Sequence, residues 1–314
     1  MDLMKIIDTH EFKHLINEIH RKSDTRKFCF ILGAGASYPS GIPTGEMLAK
    51  KWYKKIIERT DKVKVEEWII EKEIDENDLG ASYGKIYQKC FENDKNSGYE
   101  FLVREMRDAK PSHGHYVIAQ ILSRYPEHCV ITTNFDSLVE TSVYQFTDKT
   151  PLVCGHQALS NFARISPNYP LIIKIHNDLR LAPKSDDKEI KKLAKGWKLP
   201  LDHLFNTHLP IIIGYGGNDG SLMRYFETLN KKRLTNFFWC GLNENFVSER
   251  VKKLIIKLDG RFVKIKGFDE LMSELMWVFD EIGPIREELI KITNERIKSF
   301  NEKLGNVDTN QKEV

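Results

Sequence analysis

Six short hydrophobic runs recur along the chain, and longer amphipathic segments separate them. The runs are rich in β-branched and aromatic residues, as buried strands are, and they occupy positions 28–32, 129–133, 171–175, 209–214, 237–241 and 261–265. Apolar residues at helical spacing follow four of them, at 136–145, 221–232, 244–258 and 269–279. This alternation predicts an α/β fold of the Rossmann-like, doubly wound type, with a mostly parallel sheet of about six strands.

Two parts of the chain depart from this alternation. Residues 45–108 are rich in Lys, Glu and apolar residues at helical spacing, and they predict a helical insertion after the first strand. Residues 284–314 predict an exposed helix followed by a disordered polar tail. We therefore expect one domain over 1–283 and a separate helix and tail over 284–314. The helix carries a narrow apolar stripe of Ile285, Leu289, Ile292 and Leu304, which either folds back on the domain or docks on another subunit or a partner.

Charge and composition narrow the class of protein. The 48 Lys+Arg against 45 Asp+Glu leave a formal charge of only +3, so we expect no direct binding to nucleic acid. The amino-terminal residues lack the unbroken apolar stretch of a secretory signal. No apolar run in the sequence is close to the length of about 20 residues that is needed to cross a bilayer. We expect a soluble, cytoplasmic protein that does not bind membranes.

A glycine-rich segment follows the first predicted strand. Gly33, Gly35 and Ser37 come directly after the apolar run, and residues 41–43 precede the next helix. Glycines at a strand end let backbone N–H groups approach a phosphate, and a helix start adds the positive end of its dipole. The spacing matches neither a Walker A loop nor a standard dinucleotide fingerprint. The segment is either a phosphate cradle or a structural turn.

Polar residues also follow three later strands of the predicted sheet. They are Asn134 and Asp136 after the run at 129–133, His176 and Asp178 after the run at 171–175, and Asn218, Asp219 and Ser221 after the run at 209–214. Taken singly, Asn134 or Asp136 could be a helix cap and His176 a structural residue, although a histidine also suits a general base. Because ligands of open α/β sheets bind at the carboxyl ends of strands, the four clusters together predict a nucleotide crevice.

These motifs resemble those of the sirtuin superfamily, in its bacterial branch without zinc, over about residues 25–283. The family's GAG-x-S and GIP motifs appear as GAGAS at 33–37 and GIP at 41–43. Its T-x-N-x-D and K-[IL]-H-G-D motifs appear as TTNFD at 132–136 and KIHND at 174–178. The G-[YF]-S-x-x-D segment of the zinc-free branch is similar to GYGGND at 214–219.

Three departures from the family pattern bear on function. Asn177 stands where the family has Gly, and because Asn tolerates a left-handed backbone we expect His176 to keep its direction. Gly216 stands where Ser is common. The two C-x-x-C pairs that hold zinc in sirtuin deacylases are missing, and none of the five cysteines has ligand spacing. We therefore expect no metal site and a reducing compartment.

The resemblance implies NAD+ as substrate and hydrolysis of its nicotinamide–ribose bond, as in bacterial antiphage effectors. It implies that His176 accepts a proton or hydrogen bond from a ribose hydroxyl. It also implies that Asn134 orients the ribose and the attacking water, and that Asp136 holds the loop that carries Asn134. The residues implied to contact NAD+ are Gly33, Ala34, Gly35, Ala36 and Ser37 at the pyrophosphate, Thr44 at the nicotinamide-side ribose, and Gly214, Asn218 and Asp219 toward the adenosine half. Gly41, Ile42 and Pro43 are also implied to belong to the NAD+ site.

Two other functions stay open at this stage. The site could transfer acyl or ADP-ribosyl groups as an NAD-dependent protein deacylase or ADP-ribosyltransferase, or the domain could sense NAD or ADP-ribose without turnover. An unrestrained NAD+ hydrolase would harm its host. We therefore expect activation by oligomerisation or by a partner protein, such as an ATPase or another defence sensor.

Overall fold

The computed structural model describes residues 3–22, 27–177, 195–218, 220–231, 234, 237–279 and 282–310. Its strands are β1 (Lys5–Asp8), β2 (Lys27–Leu32), β3 (Cys129–Thr132), β4 (Leu152–Cys154), β5 (Leu171–Lys174), β6 (His208–Ile213), β7 (Phe238–Gly241) and β8 (Arg261–Lys264). Its helices are α1 (Thr9–Lys22), α2 (Ala34–Ser37), α3 (Gly45–Arg59), α4 (Lys62–Lys72), α5 (Tyr83–Cys90), α6 (Lys95–Met106), α7 (His113–Arg124), α8 (Leu138–Phe146), α9 (Lys195–Thr207), α10 (Leu222–Thr228), α11 (Glu249–Lys257), α12 (Phe268–Met276) and α13 (Ile285–Asn310).

The strands form one parallel sheet in the order β1-β8-β7-β6-β2-β3-β5-β4. The chain builds β3 to one side of β2 and β6 to the other, so the strand order reverses at the centre of the sheet. In open α/β sheets the crevice at such a reversal receives the ligand. The predicted doubly wound α/β fold with a mostly parallel sheet is thereby confirmed.

Alternation along the central strands explains why helices cover both faces. In β2, Phe28 and Phe30 belong to a core cluster that contains residues of α1, α7, α8 and α12. Cys29 and Ile31 point to the opposite cluster, which contains residues of α9, α10 and α11. Successive side chains of a strand face opposite sides, so a strand covered on both sides must be apolar throughout.

The sheet has two strands more than the about six that the pattern predicted. Both additional strands lie at its edges: β1 pairs with β8 on one side only, and β4 pairs with β5. In β1 only Ile7 is buried, and β4 has three residues. Edge strands are short and half-covered, so they lack the continuous apolar run by which the central strands were recognised.

The stretch between β2 and β3 contains helices α3, α4, α5 and α6 with a core of their own. Trp52 of α3 is fully buried at its centre and contacts the rings of Tyr83, Phe91 and Phe101. The predicted helical segment between the first and second central strands is therefore present as a packed unit.

The terminal helix α13 contacts the rest of the protein along its first half. Ile285 packs on the core, Arg124 pairs with Glu288 at 3.0 Å, and Arg296 donates to the carbonyl oxygen of Tyr144 at 2.6 Å. Farther along, Phe300 and Leu304 are exposed. No helix among the described residues is both long and apolar enough to cross a membrane.

Candidate active site

A cavity of about 1000 Å³ opens at the carboxyl ends of the central strands. The loops after β2, β3, β5, β6, β7 and β8 all contribute to its wall, and the helical insertion covers it from one side. Parallel strands bring their carboxyl ends to one edge, so residues far apart in sequence meet there.

The glycines after β2 and β6 bring two loops into backbone contact. A Cβ at Gly33 would lie 2.5 Å from the carbonyl oxygen of Gly214, and one at Gly35 would lie 2.8 Å from the Gly214 Cα. The amides of Gly33 and Gly35 donate to the carbonyl oxygens of Ile213 (3.0 Å) and Gly214 (2.8 Å). These two glycines therefore have a structural role that needs no ligand, and their N–H groups are directed at the β6 loop.

Asn134 is held by the loop after β2. Its Nδ2 donates to the carbonyl oxygen of Gly33 and to Oγ of Ser37, each at 2.9 Å, and its backbone N–H donates to Oγ1 of Thr132 at 3.0 Å. Because both of these side-chain bonds use the amide nitrogen, Oδ1 is the atom on the other side of the amide group. An amide oxygen in this place can accept a hydrogen bond from a hydroxyl or from water.

Asp136 supports this loop. Its Oδ2 accepts from the Ser37 hydroxyl at 2.7 Å, and its Oδ1 accepts from the backbone N–H of Leu138 at 3.1 Å. The carboxylate thus joins the β2 loop to the first residue of α8, although the N-cap residue of that helix is Ser137 and not Asp136. It is 9% exposed.

A buried lysine connects the loops after β3 and β5. Lys174 is fully buried; its Nζ lies 3.0 Å from Oε1 of Glu140 and 3.3 Å from the carbonyl oxygen of Phe135. Lys174 is two residues before His176, and Phe135 lies between Asn134 and Asp136. The hydrogen bond to Phe135 therefore connects the two strand ends that carry the candidate residues, and the ion pair joins the end of β5 to α8.

His176 is buried and shares a hydrogen bond of 2.7 Å between its Nε2 and Oγ of Ser221, which follows β6. The next residue, Asn177, has φ +68, the left-handed backbone that the sequence led us to expect where the family has Gly. Asp178 lies outside the described residues.

His115 supports the wall from behind. Its Nδ1 accepts from the backbone N–H of Ser112 at 3.2 Å, and the Ser112 hydroxyl donates to Asp269 at 2.6 Å. Burial lowers the pKa of His115 to about 4, although the carboxylates of Asp136 and Asp269 act in the opposite direction. A neutral imidazole therefore caps α7 beside the Asp136 loop.

Most of the candidate residues from the sequence are brought together here. Those that line the cavity are Ala34, Gly35, Ser37, Ile42, Pro43, Thr44, Asn134, Asp136, His176, Gly214 and Asn218. Gly33, Ala36 and Gly41 do not line the cavity; Gly41 is exposed and, with φ +86, forms the turn before Ile42. Thr44 also caps α3 by accepting from the N–H of Met47. Asp219 lies outside the described residues.

Sequence reasoning missed two parts of the wall. Asn243 after β7, and Lys266 and Glu270 after β8, line the end away from His176. Glu46 and Tyr83 come from the insertion. The strand-end rule could have found the first group, whereas the second depends on how the insertion packs.

Within the part of the chain that the structure describes, no group of three or more His, Cys, Asp or Glu side chains is placed to hold a metal ion.

A parallel α/β sheet with a polar crevice at its strand reversal defines a class of ligand-binding proteins. Within that class, residues 128–254 match the family model described as a SIR2-like domain. This segment is less than half of the chain, but it contains Asn134, Asp136, His176, Gly214 and Asn218. It supports the resemblance to the sirtuin superfamily over these residues; the glycine-rich loop after β2 lies outside it.

Solved structures with distant similarity include a Sir2 homologue in complex with NAD, at 16% identity and a TM-score of 0.46, covering 92% of this chain and 98% of that one. Another is a mutant Sir2 homologue in complex with ADP ribose, at 15% identity and a TM-score of 0.47, covering 86% and 99%. At these identities and TM-scores the similarities assign no function, and the fold class rests on the strand order itself. No curated protein sequence matched the chain.

Proposed function

We propose that this protein is an NAD+ glycohydrolase, which converts NAD+ and water to nicotinamide and ADP-ribose. One observation supports this function most: a single cavity is lined both by Asn134 and His176, after β3 and β5, and by the loops after β7 and β8, which lie on the other side of β2 and β6 in the sheet. A dinucleotide is an extended ligand with a reacting centre at one ribose. The cavity has room for both halves and places its polar residues at separate ends.

The reaction breaks the bond between the nicotinamide nitrogen and C1′ of the ribose. The bonding electrons leave with the ring, so nicotinamide departs as a neutral molecule and the ribose gains oxocarbenium character. Water then adds its oxygen to C1′ and releases a proton. Such a transition state benefits from fixed dipoles and an oriented water more than from a strong nucleophile.

Asn134 suits the orienting role. With Nδ2 donating to Gly33 and Ser37, the amide is held in one orientation, and Oδ1 accepts from the attacking water or a ribose hydroxyl. Asp136 does not touch the reacting atoms in this scheme; it keeps Ser37 and the loop in place.

His176 accepts a hydrogen bond or proton from a ribose hydroxyl as positive charge develops on the sugar. Gly214 and Asn218 approach the remaining part of the dinucleotide, and Asn243, Lys266 and Glu270 line the wall around its adenosine half. Gly216, where the family often has Ser, contributes no hydroxyl here.

Nicotinamide release from NAD+ by the purified protein tests these roles. We expect His176→Ala and Asn134→Ala to lose turnover while NAD+ binding changes only a few fold, because both residues act in the transition state. His203→Ala is the matched control, since His203 is an exposed histidine on α9. Full activity of Asn134→Ala would contradict the assignment.

A role in antiphage defence, in the cytoplasm and under the control of a partner or of self-association, is part of the proposal and follows from the resemblance alone. The terminal helix is the candidate contact, because Ile297, Phe300 and Leu304 are about half exposed or more. Light scattering of the full chain and of a version ending at Arg296, which keeps the contacts of α13 with the domain, tests this. Two monomers of equal activity would remove the helix from the assembly.

A further inference from the structure

Ser221 follows β6 directly before α10, the position at which a serine usually caps its helix. Its side chain makes no capping hydrogen bond, although serine is among the preferred N-cap residues. The hydroxyl is instead 2.7 Å from Nε2 of His176, and Ser221 is 1% exposed. We propose that Ser221 is the positioning residue of His176 and holds its imidazole in one tautomer and one orientation.

Two glycines of the β6 loop lie in close contact with neighbouring elements. Gly214 has φ +66, and a Cβ there would lie 2.4 Å from the amide nitrogen of Ala36. Gly217 has φ +73, and a Cβ there would lie 2.5 Å from Val251. The β6 loop is therefore packed against the β2 loop at Gly214 and against α11 at Gly217, four residues before Ser221.

A serine hydroxyl can donate to Nε2 or accept from it, and each role goes with one tautomer of the neutral ring. Because the hydroxyl is buried and lies 2.7 Å from Nε2, we expect it to keep one of the two roles and to set the ring angle before the reaction. The hydroxyl comes from the β6 loop, which also carries Gly214 and Asn218. The loop proposed to hold the dinucleotide thus orients the histidine as well.

The tautomer of His176 can be measured without any turnover. In ¹⁵N-histidine-labelled protein, long-range ¹H–¹⁵N spectra distinguish the two tautomers of a neutral ring, and loss of one signal in His176→Gln identifies the residue. We expect a single tautomer in the wild type and a mixture in Ser221→Ala. Ser142→Ala is the matched control, because Ser142 is equally buried and its hydroxyl donates to the carbonyl oxygen of Val139.

Kinetics supply the second measurement, and this part rests on the proposed function. We expect Ser221→Ala to lower kcat about tenfold or more with KM within about threefold, and Ser221→Thr, which keeps the hydroxyl, to restore the single tautomer and part of the rate. Two tautomers in the wild type, or an unchanged tautomer in Ser221→Ala, would overturn the inference even if no variant of Ser221 were active. Absence of nicotinamide release by the wild type, with the tautomer behaving as expected, would refute only the proposed function.

Discussion

Removing the charge of Lys174 is the sharpest test of how the site is held together. Lys174 is fully buried and Glu140 is 13% exposed, with 3.0 Å between Nζ and Oε1. At an effective dielectric constant of about 20, that separation corresponds to a gross attraction of about 5 kcal/mol. Lys174→Met keeps an unbranched side chain, one atom shorter than that of lysine, but leaves the Glu140 carboxylate and the Phe135 carbonyl oxygen without this donor.

Breaking a buried ion pair from one side costs about 3–5 kcal/mol, because the remaining charge stays desolvated. At about 2 °C per kcal/mol for a large domain, we expect the midpoint of thermal unfolding of Lys174→Met to fall by about 6–10 °C. The double variant Lys174→Met/Glu140→Leu should recover most of this loss, since it removes both charges.

Lys5→Met is the matched control. Lys5 and Asp259 form an ion pair of 2.8 Å in which both side chains are more than half exposed, so its loss should leave the midpoint almost unchanged. Unfolding midpoints measured by circular dichroism decide the matter. Equal midpoints for Lys174→Met and the wild type, or a double variant as unstable as the single one, would refute a buried ion pair between the end of β5 and α8.

Three further predictions follow from the packing and the buried histidines. Gly33→Ala should fail to fold or unfold at much lower urea concentration, because its Cβ would meet the carbonyl oxygen of Gly214 at 2.5 Å; a wild-type urea midpoint would contradict the contact. Phe135→Ala should lower both stability and turnover, since this ring packs against the core of the insertion between two site residues; normal turnover would show that the insertion does not position the loop. Burial lowers the pKa of His115 to about 4 and that of His128 to about 3, below the unfolded value near 6.5, so the unfolded state binds more protons in acid. The free energy of unfolding should have its full value above pH 6.5 and fall by about 1.4 kcal/mol per pH unit for each histidine between pH 6.5 and that histidine's pKa in the folded protein. Equal free energies of unfolding in denaturation experiments at pH 7 and pH 5 would contradict the burial of these histidines.

The central strands could be predicted because both of their faces are covered. β2 and β6 are apolar at every position that the core needs, so a short local window of sequence contains the signal. The edge strands β1 and β4 have no such window. Their place in the sheet depends on pairing with β8 and β5, which no local pattern encodes.

The candidate site also contains residues that a local sequence pattern indicates and residues that only the fold brings together. Asn134 and His176 could be found because each stands just past an apolar strand, where a crevice forms. Their partners could not: Glu140 reaches Lys174 across 34 positions, and Ser221 reaches His176 across 45. Of the glycines after β2, Gly35 lines the crevice. The contact of Gly33 and Gly35 with the β6 loop is a packing requirement that is visible only once the two loops are side by side.

The central claim is that this site hydrolyses NAD+. Its most direct test is the ratio of products formed from NAD+ by the purified full chain, measured by chromatography over a series of protein concentrations with no acyl-peptide or other acceptor present. Hydrolysis predicts one free ADP-ribose for each nicotinamide released, and loss of both products in Asn134→Ala. Nicotinamide release that requires an acceptor, or saturable NAD+ binding with no release at any concentration, would contradict it.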